Sequence, residues 1–79
     1  MIVTVHLFAR FRDVEGAALI AVPMDGSVAD LREALRQRWP ALTELLRHTR
    51  IAVNDELATD SMMLNAGDVI ALIPPVSGG

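Results

Sequence analysis

The sequence predicts an α+β domain in which one helix covers one face of a mixed β-sheet of four to five strands. Short apolar segments with a two-residue period lie on both sides of a single longer segment with helical periodicity. The chain has 79 residues, of which 52% are hydrophobic and 22% charged, which is the composition of one globular domain. We expect this domain to occupy residues 1–73 and residues 74–79 to form an extended C-terminal tail.

The first strand is predicted at residues 2–8. Val3, Val5 and Leu7 share one side of it and belong on the core. The other side is mixed and ends in Phe8, as expected for a sheet face that is left partly open.

A second strand is predicted at residues 18–22, closed by Pro23 and the turn signal of Asp25 and Gly26. Residues 9–16 carry charges and end in glycine, so we expect a connection with one helical turn. The short link predicts that the first two strands form an antiparallel hairpin.

The helix is predicted to begin after Ser27, which has the character of an N-cap, with Asp30 in the capping-box position. Pro40 disfavours helical geometry at Trp39, so the helix should end there and Trp39 should cover the end of the core. The apolar stripe of this helix consists of Val28, Leu31 and Leu35.

The segment of residues 41–48 is predicted as a second helical piece that turns three leucines inward: Leu42, Leu45 and Leu46. A third strand follows at residues 50–54, with Ile51 and Val53 on its core side. Residues 54–56 form a turn, and a very short strand is expected at residues 57–58.

The last strand is predicted at residues 69–73. Ile70 and Leu72 form its core pair, which leaves Ile73 on the open face. The complete order is hairpin, helix, strand, short strand and strand, which is typical of a β-grasp, or ubiquitin-like, domain. Phe8 and Ile73 then make part of the open face apolar.

Charge and composition exclude several classes of function. The net charge of −3 argues against nucleic-acid binding. No apolar run approaches the ~20 residues of a membrane span, so we expect a cytoplasmic protein without membrane contact. The chain has no cysteine, and His6 and His48 lie far apart in sequence, so we expect no metal site. We also expect no cofactor bound by this chain and no complete active site within it.

The end of the sequence has the residues of a reactive arm rather than of a frayed terminus: Pro74, Pro75, Val76, Ser77, Gly78 and Gly79. The two prolines end strand pairing, and the two glycines can pass a constriction no wider than backbone. Six residues could span ~20 Å. An α-carboxylate on Gly79 is a poor electrophile, so its chemistry requires activation as an acyl adenylate in the ATP site of a partner.

Three segments resemble the MoaD family, the small sulfur-carrying subunit of molybdopterin synthase. The likeness runs over essentially the whole chain, and its most specific part is the Gly-Asp strand that ends in Pro-Pro-Val-Ser-Gly-Gly. The segments are residues 8–12 (FARFR), 53–56 (VNDE) and 67–79 (GDVIALIPPVSGG).

The resemblance implies a defined reaction cycle. An activating enzyme of the MoeB type would use ATP to adenylate Gly79, and a sulfur donor protein would convert the adenylate to a thiocarboxylate. The tail would then enter the large subunit, of the MoaE type, and deliver sulfur to cyclic pyranopterin monophosphate. The catalytic residues would lie on the large subunit, and the synthase would be a heterotetramer of two large and two small subunits.

The resemblance also implies a partner interface at Phe8, Leu57 and Ile73, with Arg12 at a position that is often basic in the family. The sequence departs from the common family pattern at Ile73, where Phe is frequent, and at Ser77, where Thr is frequent. Both substitutions keep the size class of the side chain.

Three alternatives to this assignment remain open. A related carrier could deliver sulfur to thiamine thiazole, to tRNA, to cysteine synthesis or to a tungsten cofactor. A ubiquitin-like protein modifier would pass the activated Gly79 to an amine of another protein, although the absence of lysine prevents lysine-linked chains of this protein. A third alternative is an interaction module with an idle tail.

Overall fold

The computed structural model describes residues 1–75, and residues 76–79 lie outside the described part. Five strands form one mixed sheet in the order β2-β1-β5-β3-β4, in which β1 and β5 are parallel and the other neighbours are antiparallel. This confirms the predicted α+β class. The elements are β1 (Ile2–His6), α1 (Ala9–Glu15), β2 (Leu19–Pro23), α2 (Val28–Arg38), a 3₁₀ turn (Pro40–Leu42), α3 (Thr43–Arg47), β3 (Arg50–Val53), β4 (Glu56–Leu57) and β5 (Val69–Ile73).

The core lies between α2 and one face of the sheet. The alternation of each strand places every second side chain on this face, as the sequence predicts. All of the predicted core residues of the strands and of α2 are buried: Val3, Val5, Leu7, Val28, Leu31, Leu35, Ile51, Val53, Ile70 and Leu72.

Helix α2 begins and ends where the sequence predicts. The backbone N–H of Ser27 donates to Asp30 Oδ2 at 2.8 Å, and the backbone N–H of Asp30 donates to Ser27 Oγ at 3.4 Å, which completes a capping box. Trp39 is the C-cap, and the following Pro40 starts the 3₁₀ turn. Leu42 and Leu46 are buried and Leu45 is half-buried against the core, which confirms the inward orientation of the second helical piece.

The connection between the first two strands differs from the prediction. It contains α1, a helix of seven residues rather than one turn, which ends at Gly16 with a left-handed φ of 77°. The helix is anchored by Phe11, which is fully buried and packs on Trp39 with 5.4 Å between the ring centroids. β1 and β2 pair antiparallel as predicted, but through this helix rather than through a tight turn.

The β3–β4 turn is tied to the beginning of β5. Asn54 and Asp55 both have positive φ, as a two-residue hairpin turn of this hand requires. Asn54 Nδ2 donates to Asp68 Oδ1 at 3.1 Å, and Asp68 Oδ2 accepts from the backbone N–H of Asn65 at 2.7 Å. Val69 N–H donates in turn to Asn54 Oδ1 at 3.0 Å. These bonds hold the end of the sheet where β5 begins.

Within residues 1–75, none of the helices combines the length and the apolar character needed to cross a lipid bilayer.

Candidate functional site

Within residues 1–75, no helix covers the sheet face opposite α2, and this face is largely apolar. It exposes large hydrophobic side chains on four of the five strands, which is unusual for a face that meets only water. These side chains are Ile2, Leu19, Leu57, Val69 and Ile73, each exposed by 41% or more.

The strand register places the predicted interface residues on this one face. Arg50 pairs with Ile73, and Ala52 pairs with both Ala71 and Leu57, so these side chains share a side of the sheet. Phe8 lies two residues beyond His6 in extended conformation, with Leu7 buried between them. Phe8 therefore continues the same side of β1, at the level of Ile73 on β5.

Phe8 and Ile73 come together at the end of β5, with 49% and 41% of their surfaces exposed. Leu57 is 61% exposed on the same face but stands on the edge strand β4. Three strand spacings separate β1 from β4, which is about 14 Å. The predicted patch is therefore spread across the sheet rather than gathered in one contact.

Two small side chains lie between these larger ones and form a floor, which the sequence reasoning missed. The floor consists of Ala71, half-buried, and Ala52, which is only 8% exposed although it lies on the open face. His6 stands beside Ala71, and Leu57 stands beside Ala52. The alternation of β3 and β5 assigns both alanines to this face, but only the strand order makes them neighbours.

The point where β5 leaves the sheet, which we call the tail root, has a cavity of its own. Pairing of β5 with β3 ends at Ile73, and Pro74 and Pro75 follow, half-buried and exposed respectively. The cavity has a volume of about 550 Å³. It is lined by His48, Arg50, Ile73, Pro74 and Pro75.

The remaining tail positions predicted to act in the chemistry are Val76, Ser77, Gly78 and Gly79. They lie outside the described residues.

The arginines of the described part fall into two groups. Four form ion pairs with carboxylates: Arg32, Arg36, Arg38 and Arg47. Within residues 1–75, Arg10, Arg12 and Arg50 form none. Arg12 is exposed on α1, one helical turn after Phe8, and Arg50 lines the cavity at the tail root. Arg12 and Arg50, which form no ion pair within residues 1–75, therefore lie beside the apolar pair of Phe8 and Ile73.

Helix α1, which carries Arg12, is fixed to α2 by a carboxylate at its end. Glu15 accepts two hydrogen bonds from the guanidinium of Arg38, at 2.8 and 2.9 Å, and one from the indole N–H of Trp39 at 2.9 Å. The bonds from Arg38 and then from Trp39 lower the pKa of Glu15 from 4.5 to about 2. This contact holds the helix that begins directly after Phe8.

Among residues 1–75, no three His, Asp or Glu side chains are grouped closely enough to hold a metal ion. The features that the described site offers to a partner are an apolar face, a small-residue floor and arginines at the tail root.

Comparison with known proteins gives a consistent result. The ThiS family model matches residues 5–79. A molybdopterin synthase sulfur carrier subunit of Arabidopsis thaliana is 33% identical over 79 residues, covering 98% of this chain and 82% of that protein. The crystal structure of small archaeal modifier protein 1 of Haloferax volcanii superposes with a TM-score of 0.79 at 31% identity, covering 95% of this chain and 98% of the other.

A second similar structure is a protein–protein complex of subunits 1 and 2 of the molybdopterin-converting factor of Helicobacter pylori. The matched chain is 34% identical with a TM-score of 0.71, and both chains are covered completely. These comparisons confirm the β-grasp fold and the resemblance to small sulfur-carrier subunits. The chain belongs to the ThiS family.

Proposed function

We propose that this chain is the sulfur-carrier small subunit of molybdopterin synthase and that Gly79 carries the reactive α-carboxylate. The observation that supports this most directly is the junction of core and tail. β5 runs from the buried Ile70 and Leu72 into Pro74 and Pro75, and the apolar pair of Phe8 and Ile73 is exposed beside that exit. A partner that binds this surface would receive the tail at a fixed position.

The chemistry begins with activation. The Gly79 carboxylate attacks the α-phosphorus of ATP in an activating enzyme of the MoeB type and releases pyrophosphate, which leaves an acyl adenylate. A donor protein then supplies sulfur at the oxidation level of hydrosulfide. The sulfur displaces AMP at the acyl carbon, and the product is a thiocarboxylate. AMP is a good leaving group, whereas the oxygen of a free carboxylate is not.

Delivery then takes place in the large subunit, of the MoaE type. The thiocarboxylate sulfur bonds to a side-chain carbon of cyclic pyranopterin monophosphate as the carbon–oxygen bond at that carbon breaks, and the oxygen leaves with the bonding pair, as water or as a phosphate oxygen. Water then cleaves the resulting thioester at its acyl carbon. Gly79 returns to the carboxylate form while sulfur stays on the pterin. Two such transfers build the dithiolene of molybdopterin. The large subunit supplies the acid and base groups, and this chain supplies the sulfur and the positioning surface.

The assembly proposed here is a heterotetramer of two large and two small subunits. The Helicobacter pylori complex of subunits 1 and 2 supports a partner of this kind, because its matched chain covers this chain completely. The exposed apolar face supports it as well, since burying such a face is the main driving force of association.

A second candidate function is that of a protein modifier. The likeness to small archaeal modifier protein 1 favours it. In that reaction an amine of another protein displaces AMP from the activated Gly79 and forms an isopeptide bond. Both functions use the same adenylate and differ in the nucleophile that follows.

Intact mass of the untagged chain, purified from its own cells during cofactor synthesis, separates these functions. We expect an oxygen-to-sulfur mass shift that fragmentation assigns to Gly79. A matched variant that lacks Gly79 should fold normally, carry no shift and fail to support molybdopterin formation. Isopeptide conjugates without any thiocarboxylate would favour the modifier function. Normal cofactor synthesis by the variant that lacks Gly79 would contradict the sulfur-carrier function.

A further inference from the structure

We infer that the cavity at the tail root binds a carboxylate side chain of the protein that receives the tail, with Arg50 as the recognising group. This inference rests on the proposed function, because it assumes that the tail enters a partner. It adds a specificity-determining residue to the apolar pair of Phe8 and Ile73.

Arg50 is placed for this role by the sheet itself. It is the first residue of β3 and stands directly across from Ile73, the last residue of β5. Its side chain lines the cavity together with the two prolines of the tail root. The backbone that carries Arg50 is held by this pairing with β5, and the following residues of β3 are paired with β4 as well.

The charge of Arg50 is available to a partner. Within residues 1–75, its guanidinium makes neither an ion pair nor a hydrogen bond. The other basic side chain of the cavity, His48, has Nε2 at 3.3 Å from Glu44 Oε1, and Arg47 pairs with the second oxygen of Glu44 at 3.6 Å. Glu44 is therefore shared by Arg47 and His48. Arg50 is the permanently charged side chain of the cavity that has no acidic partner within residues 1–75.

A protein carboxylate fits the cavity better than a nucleotide phosphate. The four residues after Pro75 could reach about 14 Å along an extended path. Adenylation takes place at Gly79, the far end of that path. The ATP phosphates therefore lie in a different part of the partner from the surface that contacts the cavity. The cavity faces the rim of the partner's entrance, where an Asp or Glu side chain can form a two-pronged bond with a guanidinium.

The apolar wall strengthens this contact and makes it selective. Ile73 and Pro74 form an apolar side of the cavity, and a bound partner would exclude water there, which increases the attraction between opposite charges. A partner without an acidic side chain at this point would leave Arg50 desolvated and unpaired, at a cost in affinity. Arg50 therefore favours partners with an acidic rim.

The first test measures affinity for the molybdopterin synthase large subunit of the same cell. We expect Arg50→Gln to weaken binding about tenfold. Arg36→Gln removes the same charge from the exposed side of α2, where Arg36 pairs with Glu33, and it should leave affinity within about twofold. Equal affinities of the two variants overturn the inference, while the proposed function stands. Failure of the wild-type chain to bind the large subunit overturns the proposed function and this inference with it.

The second test uses the absence of lysine from the chain. Arg50→Lys introduces a single side-chain amine into the cavity, and a carbodiimide joins amines only to carboxylates that touch them. We expect a cross-link from position 50 to one Asp or Glu of the large subunit, located by peptide mass spectrometry. Arg36→Lys is the matched control and should give no cross-link to the partner. A complex that forms but cross-links at neither position, or at both equally, contradicts the inference.

Discussion

Acidification provides a direct test of the contact that fixes α1 beside the proposed interface. Glu15 joins this helix to α2 through Arg38 and Trp39, and its pKa is lowered from 4.5 to about 2. A carboxylate whose pKa is lower in the folded protein than in the unfolded chain contributes its full stabilisation at pH values above the unfolded pKa. That contribution is lost as the pH falls from 4.5 to about 2.

The size of the effect follows from the same contact. The difference between 4.5 and about 2 corresponds to at most about 3.4 kcal/mol in the free energy of unfolding. The Glu15 side chain is 21% exposed and that of Arg38 is 41% exposed, so water and salt weaken the pair. We therefore expect a contribution of about 1–2 kcal/mol, supported by the charge-assisted bond from the buried indole.

Urea unfolding followed by the fluorescence of Trp39 measures this contribution. Trp39 is the single tryptophan of the chain and is 5% exposed, so its signal reports loss of the core at the contact itself. Glu15→Gln should lower the free energy of unfolding by about 1–2 kcal/mol at neutral pH. Between pH 4.5 and about 2, the stability of this variant should fall less than that of the wild type. The control, Glu33→Gln, removes an exposed carboxylate that pairs with Arg36 and should change little. If wild type and Glu15→Gln lose equal stability over this range, the reasoning about Glu15 is wrong.

Two further predictions concern the two ends of the sheet. Phe8→Arg should weaken binding to the large subunit by at least tenfold without lowering stability, because Phe8 is 49% exposed. The control is Val14→Arg, at an exposed apolar position on α1. Equal affinities of the two variants, measured by calorimetry, would remove Phe8 from the interface. Asp68→Ala should cost about 1–3 kcal/mol in urea unfolding, because it leaves Asn54 Nδ2 and the N–H of Asn65 without their acceptor. Asp13→Ala, at an exposed position, is its control, and a loss no larger than that of the control would show that these bonds contribute nothing.

The predictable part of the fold depends on local rules. Alternation in β1, β3 and β5 assigns each side chain to a face, and the cap at Ser27 and the proline at position 40 set the limits of α2. These signals lie within a few residues of the feature that they determine. Exposure of Phe8 and Ile73 on the open face follows from the same alternation, whereas the interface position of Leu57 was implied only by the family resemblance.

The parts that were missed depend on contacts between distant segments. The length of α1 is supported by Phe11 against Trp39 and by Glu15 with Arg38, pairs that are more than 20 residues apart in sequence. The alanine floor and the cavity arise because β5 lies between β1 and β3, an order that no single segment specifies. The sequence pattern places Arg50 only at the start of a strand. Its position across from Ile73 depends on the register between β3 and β5.

Two of the three segments that carry the family resemblance also stabilise the fold. Asn54 and Asp68 bind each other at the end of the sheet where β5 begins, away from the tail root. Their pairing explains a resemblance in these positions without any role in sulfur chemistry. The functional part of the resemblance is then concentrated at residues 8–12 and in the tail.

The distribution of stabilising contacts separates folding from recognition in this small domain. Val5, Ile70 and Leu72 are buried completely, while Phe8, Arg50 and Ile73 expose their side chains near the tail root. Substitution of a buried group typically costs 2–5 kcal/mol, whereas an exposed one usually changes stability by about 0.5 kcal/mol or less. The surface at the tail root can therefore change its charge and its apolar residues to suit a different partner while the sheet that carries the tail is preserved. This separation accounts for the presence of sulfur carriers and protein modifiers among the relatives of one fold.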